Sequence, residues 1–95
     1  MAELIFYTNP QSRGRIARWM LEECGADYRT VVVPYGPEMK SEPYIAINPM
    51  GKVPTLVYAG KAVTETAAIV TFLADLFPAA KLAPPPDQRQ DYYRW

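Results

Sequence analysis

Histidine is absent and cysteine occurs once, at Cys24. A lone cysteine excludes an internal disulfide, a thiolate zinc cluster and a dithiol redox motif together. Without histidine the chain lacks the usual general base near neutral pH and the commonest metal ligand, so no metal is expected. Net charge is missing as well, because ten basic and ten acidic residues cancel. No field then draws in nucleic acid or an anionic membrane, and neither is an expected partner. Nor is there a long hydrophobic run. Nothing approaches the ~20 apolar residues that span a bilayer, and the apolar run from Leu4 to Tyr7 follows Glu3 and is too short for a signal peptide. A soluble, cytoplasmic protein is the expectation.

What is present fits one compact unit. The 95 residues suffice for one domain and are too few for two. A domain of this size buries only about 60–65% of its unfolded surface, so modest stability is expected. Leu4 to Tyr7 reads as a fully buried strand closed by Thr8, Asn9 and Pro10. From Arg13 to Cys24 the residues Ile16, Ala17, Met20, Leu21 and Cys24 recur at helical spacing. Ser12 stands where an N-cap belongs and Gly25 where a left-handed C-cap belongs.

Tyr28 to Val33 is β-branched and aromatic, a second strand. One intervening helix makes the first three elements a right-handed βαβ unit with parallel strands. Pro34 to Glu42 is a loop, and Pro43 to Ile47 has room for one helical turn. Thr55 to Tyr58 and Lys61 to Thr64 flank Ala59-Gly60 as a hairpin, and because Ala-Gly is a weaker turn signal than Asn-Gly, both a tight turn and a bulge stay open. Glu65 to Phe77 is a helix with Ala68, Ile69, Phe72, Leu73 and Leu76 on one face, ended by Pro78. The order βαβ-loop-ββα predicts an α/β, thioredoxin-like domain over residues 1–77, a four-stranded mixed sheet flanked by helices. Residues 78–86, with three consecutive prolines, predict a stiff, extended linker. Residues 87–95 then read as the start of a further helix, anchored by Tyr92, Tyr93 and Trp95.

Three segments carry a family resemblance. Asn48 to Leu56 reads NPMGKVPTL, Thr64 to Ile69 reads TETAAI, and Ser12 to Glu23 reads SRGRIARWMLEE. At this spacing they resemble the N-terminal, thioredoxin-like domain of bacterial-type glutathione S-transferases, and the resemblance covers the whole chain. It implies that Pro54 is cis and turns Val53 outward, so that the Val53 N–H and C=O receive the cysteinyl unit of glutathione as a short β-augmentation. Thr66, in the first turn of a helix where free N–H groups and the dipole favour an anion, would hold the γ-glutamyl carboxylate. Glu65 would take the adjacent ammonium and Lys52 the glycine carboxylate. Plainer roles exist beside each: an edge-strand start for Val53-Pro54, dipole complementation for Glu65, a cap for Thr66, a solvated lysine for Lys52.

The family lowers the pKa of the glutathione thiol with a hydroxyl or thiol near the end of the first strand. Ser12 is the candidate donor at the start of the first helix, although a serine there is commonly an N-cap alone. The serine of several serine-type classes aligns instead with Gln11. Tyr7, at the strand end, is the alternative donor, and the Asn9 amide a third. Cys24 lies at the far end of the helix, on its apolar face, and reads as core filler. The resemblance thus implies a detoxifying glutathione transferase acting on glutathione and a small electrophile. It further implies a homodimer for the full-length protein, with residues 87–95 opening an all-α second domain. A non-catalytic glutathione-binding or protein-interaction module of the same fold stays open, as does a glutathione-dependent peroxidase or reductase.

Overall fold

The computed structural model describes residues 3–94. Trp95, an expected anchor of the last helix, lies outside the described residues. Strand β1 (Leu4–Thr8) leads to helix α1 (Gly14–Glu23) and strand β2 (Tyr28–Val32). A 3-10 turn at Pro37–Lys40 and the one-turn helix α2 (Tyr44–Ile47) follow, then strands β3 (Thr55–Tyr58) and β4 (Lys61–Thr64) and helix α3 (Thr66–Leu76). The sheet runs β2-β1-β3-β4, with β1 parallel to β2 and antiparallel to β3, and β3 antiparallel to β4. This is the expected four-stranded mixed sheet of a thioredoxin-like fold.

Strand β1 alternates, a correction to the fully buried run expected from its composition. Leu4 and Phe6 are buried against α1 and α3, with Ala17, Leu21, Leu56, Ile69 and Leu73. Ile5 and Tyr7, half-buried, point to the opposite face, where Tyr7 packs on a smaller cluster of Val33, Met39 and Tyr44. That face has only a one-turn helix to cover it, so its residues stay partly open. Two expected helix positions are also exposed, Ile16 and Ala68, because each lies at the edge of its apolar stripe.

The helix ends follow their sequence signals. Gly25, at φ 65°, closes α1: the Gly25 N–H donates to Glu22 and the Ala26 N–H to Leu21, the paired bonds of a Schellman motif. The hairpin contains no bulge. Tyr58 pairs directly with Lys61, and Ala59 and Gly60 both take positive φ, 53° and 77°, the backbone of a tight primed turn that matches strand twist.

The segment after α3 departs from an extended spacer. It makes 3-10 turns at Pro78–Ala80 and Pro86–Gln88, and Leu82 and Ala83 pack against the main core. Arg89 fastens it, with Nε donating to the Pro84 carbonyl at 2.9 Å and Nη2 meeting Asp75 of α3 at 3.1 Å. In helix α4 (Gln90–Arg94) the anchor residues Tyr92 and Tyr93 rest on the Arg89 guanidinium instead of a core, each ring 5.9 Å away. No helix among the described residues is long and apolar enough to cross a membrane.

The close approach of α1 to the end of β1 depends on Gly14. A Cβ there would lie 1.8 Å from Thr8 Oγ1 and 3.0 Å from Ser12 Oγ. Gly14→Ala should therefore cost about 1–3 kcal/mol of stability in urea unfolding, the range for overpacking a tight contact. Thr8→Ala removes the clashing oxygen, so the double variant should lose less than the sum of the singles. Strict additivity would show that Thr8 is not the obstacle.

Candidate functional site

The sheet order gathers four loops at one end. Because β3 is antiparallel to β1, its first residue Thr55 lies opposite Tyr7, near the end of β1, and opposite Thr64, the end of β4. The β1–α1 loop, the loop after β2, the α2–β3 loop and the start of α3 therefore meet. Between them lies a cleft of about 540 Å³ lined by Ser12, Lys52, Val53, Pro54, Glu65 and Thr66. Six of the seven site residues expected from the sequence, all but Tyr7, thus share one cavity, from segments up to 54 positions apart.

The Val53–Pro54 peptide bond is cis. A second cis bond, Glu42–Pro43, was not foreseen. Among the described residues, nothing accepts from the Val53 N–H or donates to its carbonyl. A backbone donor and acceptor thus stand open on the wall of a cleft, the requirement for pairing with an extended peptide.

Glu65 is the boundary residue of α3 and takes φ 74°, ψ 128°, an uncommon backbone for a residue with a side chain. Its carbonyl receives the Ile69 N–H at 2.9 Å. No side chain caps the helix, and no acidic residue lies in its first turn. The first-turn N–H groups of Thr66 and Ala67, both on the cleft wall, consequently lack intrahelical acceptors and favour an anion. Neither Glu65 nor Lys52 has an ion-pair partner among the described residues. The cleft therefore offers a carboxylate, an ammonium and a helix N-terminus around an open backbone edge, a set suited to a short peptide with charged ends.

The candidate thiol-activating residues separate. Ser12 lines the cleft, but its hydroxyl donates to the Asn9 carbonyl at 2.6 Å and accepts the Gly14 N–H at 3.0 Å. It caps the start of α1 from one position before the boundary residue, Arg13. Asn9 gives an amide N–H to the Val33 carbonyl and accepts the Gln11 N–H, tying the loop to the end of β2. Gln11 is exposed on the cleft wall. Tyr7 is not in this cleft. It lines a separate cavity of about 340 Å³ with Val33, Pro43 and Tyr44, because strand alternation turns it to the α2 face.

Sequence reasoning missed further lining residues and one supporting residue. Asn48 and Ala67 line the cleft from within the motifs without having been singled out as site residues. Arg13 and Tyr35 are on the cleft wall. Tyr44 is 4% exposed, and its hydroxyl donates to the Lys52 carbonyl. Burial pushes this phenol above its ordinary pKa, and hydrogen bonding from Thr55 only partly opposes it, so it remains a proton donor at neutral pH. A tyrosine in a short turn gives no periodic signal, so nothing in the pattern marked it. No group of three or more His, Cys, Asp or Glu side chains among the described residues is placed to hold a metal.

Residues 12–76 match the family described as glutathione S-transferase, N-terminal domain. Protein LigF of Sphingobium sp. is 42% identical over 59 residues, 61% of this chain and 23% of that protein. Two solved structures are similar throughout. A glutathione transferase homologue from Sulfitobacter, with bound glutathione, has a TM-score of 0.82 at 32% identity, covering 92% of this chain and 43% of that one. A glutathione transferase from Methylococcus capsulatus has a TM-score of 0.84 at 30% identity, covering 96% and 46%. The chain therefore spans less than half of each.

Cys24 is remote from the cleft, half-buried with its thiol 3.8 Å from the Leu73 carbonyl. Burial, and secondarily Glu23, push its pKa up. A raised pKa means less thiolate at a given pH, so iodoacetamide should alkylate Cys24 more slowly than free cysteine at neutral pH, and the deficit should shrink as pH rises. A rate equal to or above that of free cysteine would contradict the core-filling role.

Proposed function

The chain belongs to the glutathione S-transferase family, as its N-terminal domain, and on that premise we propose that it binds glutathione in the cleft between Ser12, Lys52 and Thr66. The observation that carries this reading is the open Val53 backbone edge beside the uncapped N-terminus of α3. The Val53 N–H and C=O pair with the cysteinyl unit. Thr66, through its hydroxyl and first-turn N–H groups, holds the γ-glutamyl carboxylate, and Glu65 takes the neighbouring ammonium. Lys52 meets the glycine carboxylate.

In the full-length protein the bound thiol is the nucleophile. In this reading Ser12, at the N-terminus of α1, rotates its hydroxyl away from Asn9 to donate to the sulfur, and the helix dipole favours the thiolate. The thiolate forms a carbon–sulfur bond to an electrophile, and the leaving group departs with its electron pair or the adduct takes up a proton. The electrophile is held largely by parts of the protein beyond this domain. One observation favours a second reading, a glutathione-binding module without transferase activity: the Ser12 proton is already given to the Asn9 carbonyl.

Calorimetric titration tests the binding. Glutathione should bind this chain weakly and saturably, and Thr66→Ala should weaken it by about tenfold or more, the scale of one hydrogen bond to a charged group. Failure to bind, or an undiminished affinity in Thr66→Ala, would overturn the assignment. The thiolate absorbance of bound glutathione, followed against pH, separates the two readings. A lowered thiol pKa that Ser12→Ala restores supports the transferase; an ordinary pKa supports the module.

A further inference from the structure

The bonds behind Val53 form a closed set. The Lys52 carbonyl accepts from the Tyr44 hydroxyl and, at 2.9 Å, from Asn48 Nδ2. Asn48 Nδ2 also reaches Thr55 Oγ1 at 3.2 Å, and Tyr44 Oη and Thr55 Oγ1 are 2.8 Å apart. Proton counting leaves one arrangement. Tyr44 has a single proton and gives it to Lys52, so Thr55 donates to Tyr44 and accepts from the second Asn48 N–H. Asn48 Oδ1 accepts the Met50 N–H at 3.0 Å. Tyr44, Asn48 and Thr55 are 4%, 2% and 0% exposed, and no buried side-chain polar atom among the described residues lacks a partner.

The Lys52 carbonyl and the Val53 N–H belong to the same peptide unit. That unit is trans, since the two cis bonds lie elsewhere, and a trans peptide points its C=O and N–H in opposite directions. We propose that Tyr44, Asn48 and Thr55 are the positioning residues of the peptide-binding edge: by holding the Lys52 carbonyl inward they aim the Val53 N–H into the cleft. This rests on the glutathione-binding reading for its ligand, though not for its geometry. Two donors on one carbonyl also polarise the peptide, which strengthens the N–H at its other end as a donor. None of the three side chains needs to touch glutathione. Tyr44 and Thr55 are absent from the cleft wall, where Asn48 contributes.

Two variants at Thr55 and one at Tyr44 test this in the whole chain. Tyr44→Phe keeps the ring and removes the donor, and should weaken glutathione binding about five- to tenfold when titrated well below the unfolding temperature. It should also shift the Val53 amide proton upfield in the ligand-free protein. Thr55→Val should do the same, and Thr55→Ser, which keeps the hydroxyl, should restore both readouts. Should Tyr44→Phe fail to fold, the Thr55 pair decides. A role in stability alone would lower the unfolding temperature and leave the Val53 resonance and the affinity unchanged, and that result overturns the proposal. If the unsubstituted chain does not bind glutathione, the functional reading falls, while the ligand-free Val53 resonance still decides the positioning role.

Discussion

Strand β1 is hydrogen-bonded along both edges, parallel to β2 on one side and antiparallel to β3 on the other. This mixed pairing is the constraint on which the remaining architecture depends. Parallel pairing puts the ends of β1 and β2 at one side of the sheet, and antiparallel pairing brings the start of β3 and the end of β4 to that same side. The α1 and α3 N-termini follow directly from two of these ends. Every segment that forms the cleft therefore arrives through strand register, and none needs a long loop of its own. The four residues paired on both edges, Leu4 to Tyr7, are also those that divide the two packing faces, Leu4 and Phe6 toward the helices and Tyr7 toward α2.

A domain of this size has little apolar surface to spend on rigidity. It holds the Lys52–Val53 peptide with polar bonds instead. The Tyr44–Thr55–Asn48 set is buried and fully paired, the condition under which a polar cluster adds order without leaving an unsatisfied group. Its cost is confined to a few side chains, and its output is the direction of one peptide plane. The exposed charges Lys52 and Glu65 stay hydrated at the mouth of the cleft, and the uncapped start of α3 supplies the anion-binding dipole at no cost in buried charge.

The sequence made the fold legible because its signals were local and mutually consistent. Gly25 ended α1 where a positive φ was needed, Pro78 ended α3, and the strand runs were short and bounded. The residues that line the cleft were legible for a different reason: Asn48 to Leu56 and Thr64 to Ile69 are contiguous motifs, so the residues travel together in the chain. Tyr44 stood outside both motifs and in a turn without periodicity, and Arg13 and Tyr35 carried no distinguishing pattern. The proline-rich segment misled because composition reports chain stiffness. Its course was set by what lay within reach, namely an apolar place for Leu82 and Ala83 and a carboxylate for Arg89.

By itself the sequence determined the order of elements and which segments would line the cleft. These follow from periodicity, composition and spacing, which act over a few neighbouring positions. Tertiary structure alone decided that Tyr7 faces away from the cleft while Ser12 faces into it, and that the Ser12 proton is committed to Asn9. It alone placed Tyr44 and Asn48 behind the Lys52 carbonyl. Direction in space and the destination of a proton depend on partners brought close by folding, and a linear order of residues does not contain them.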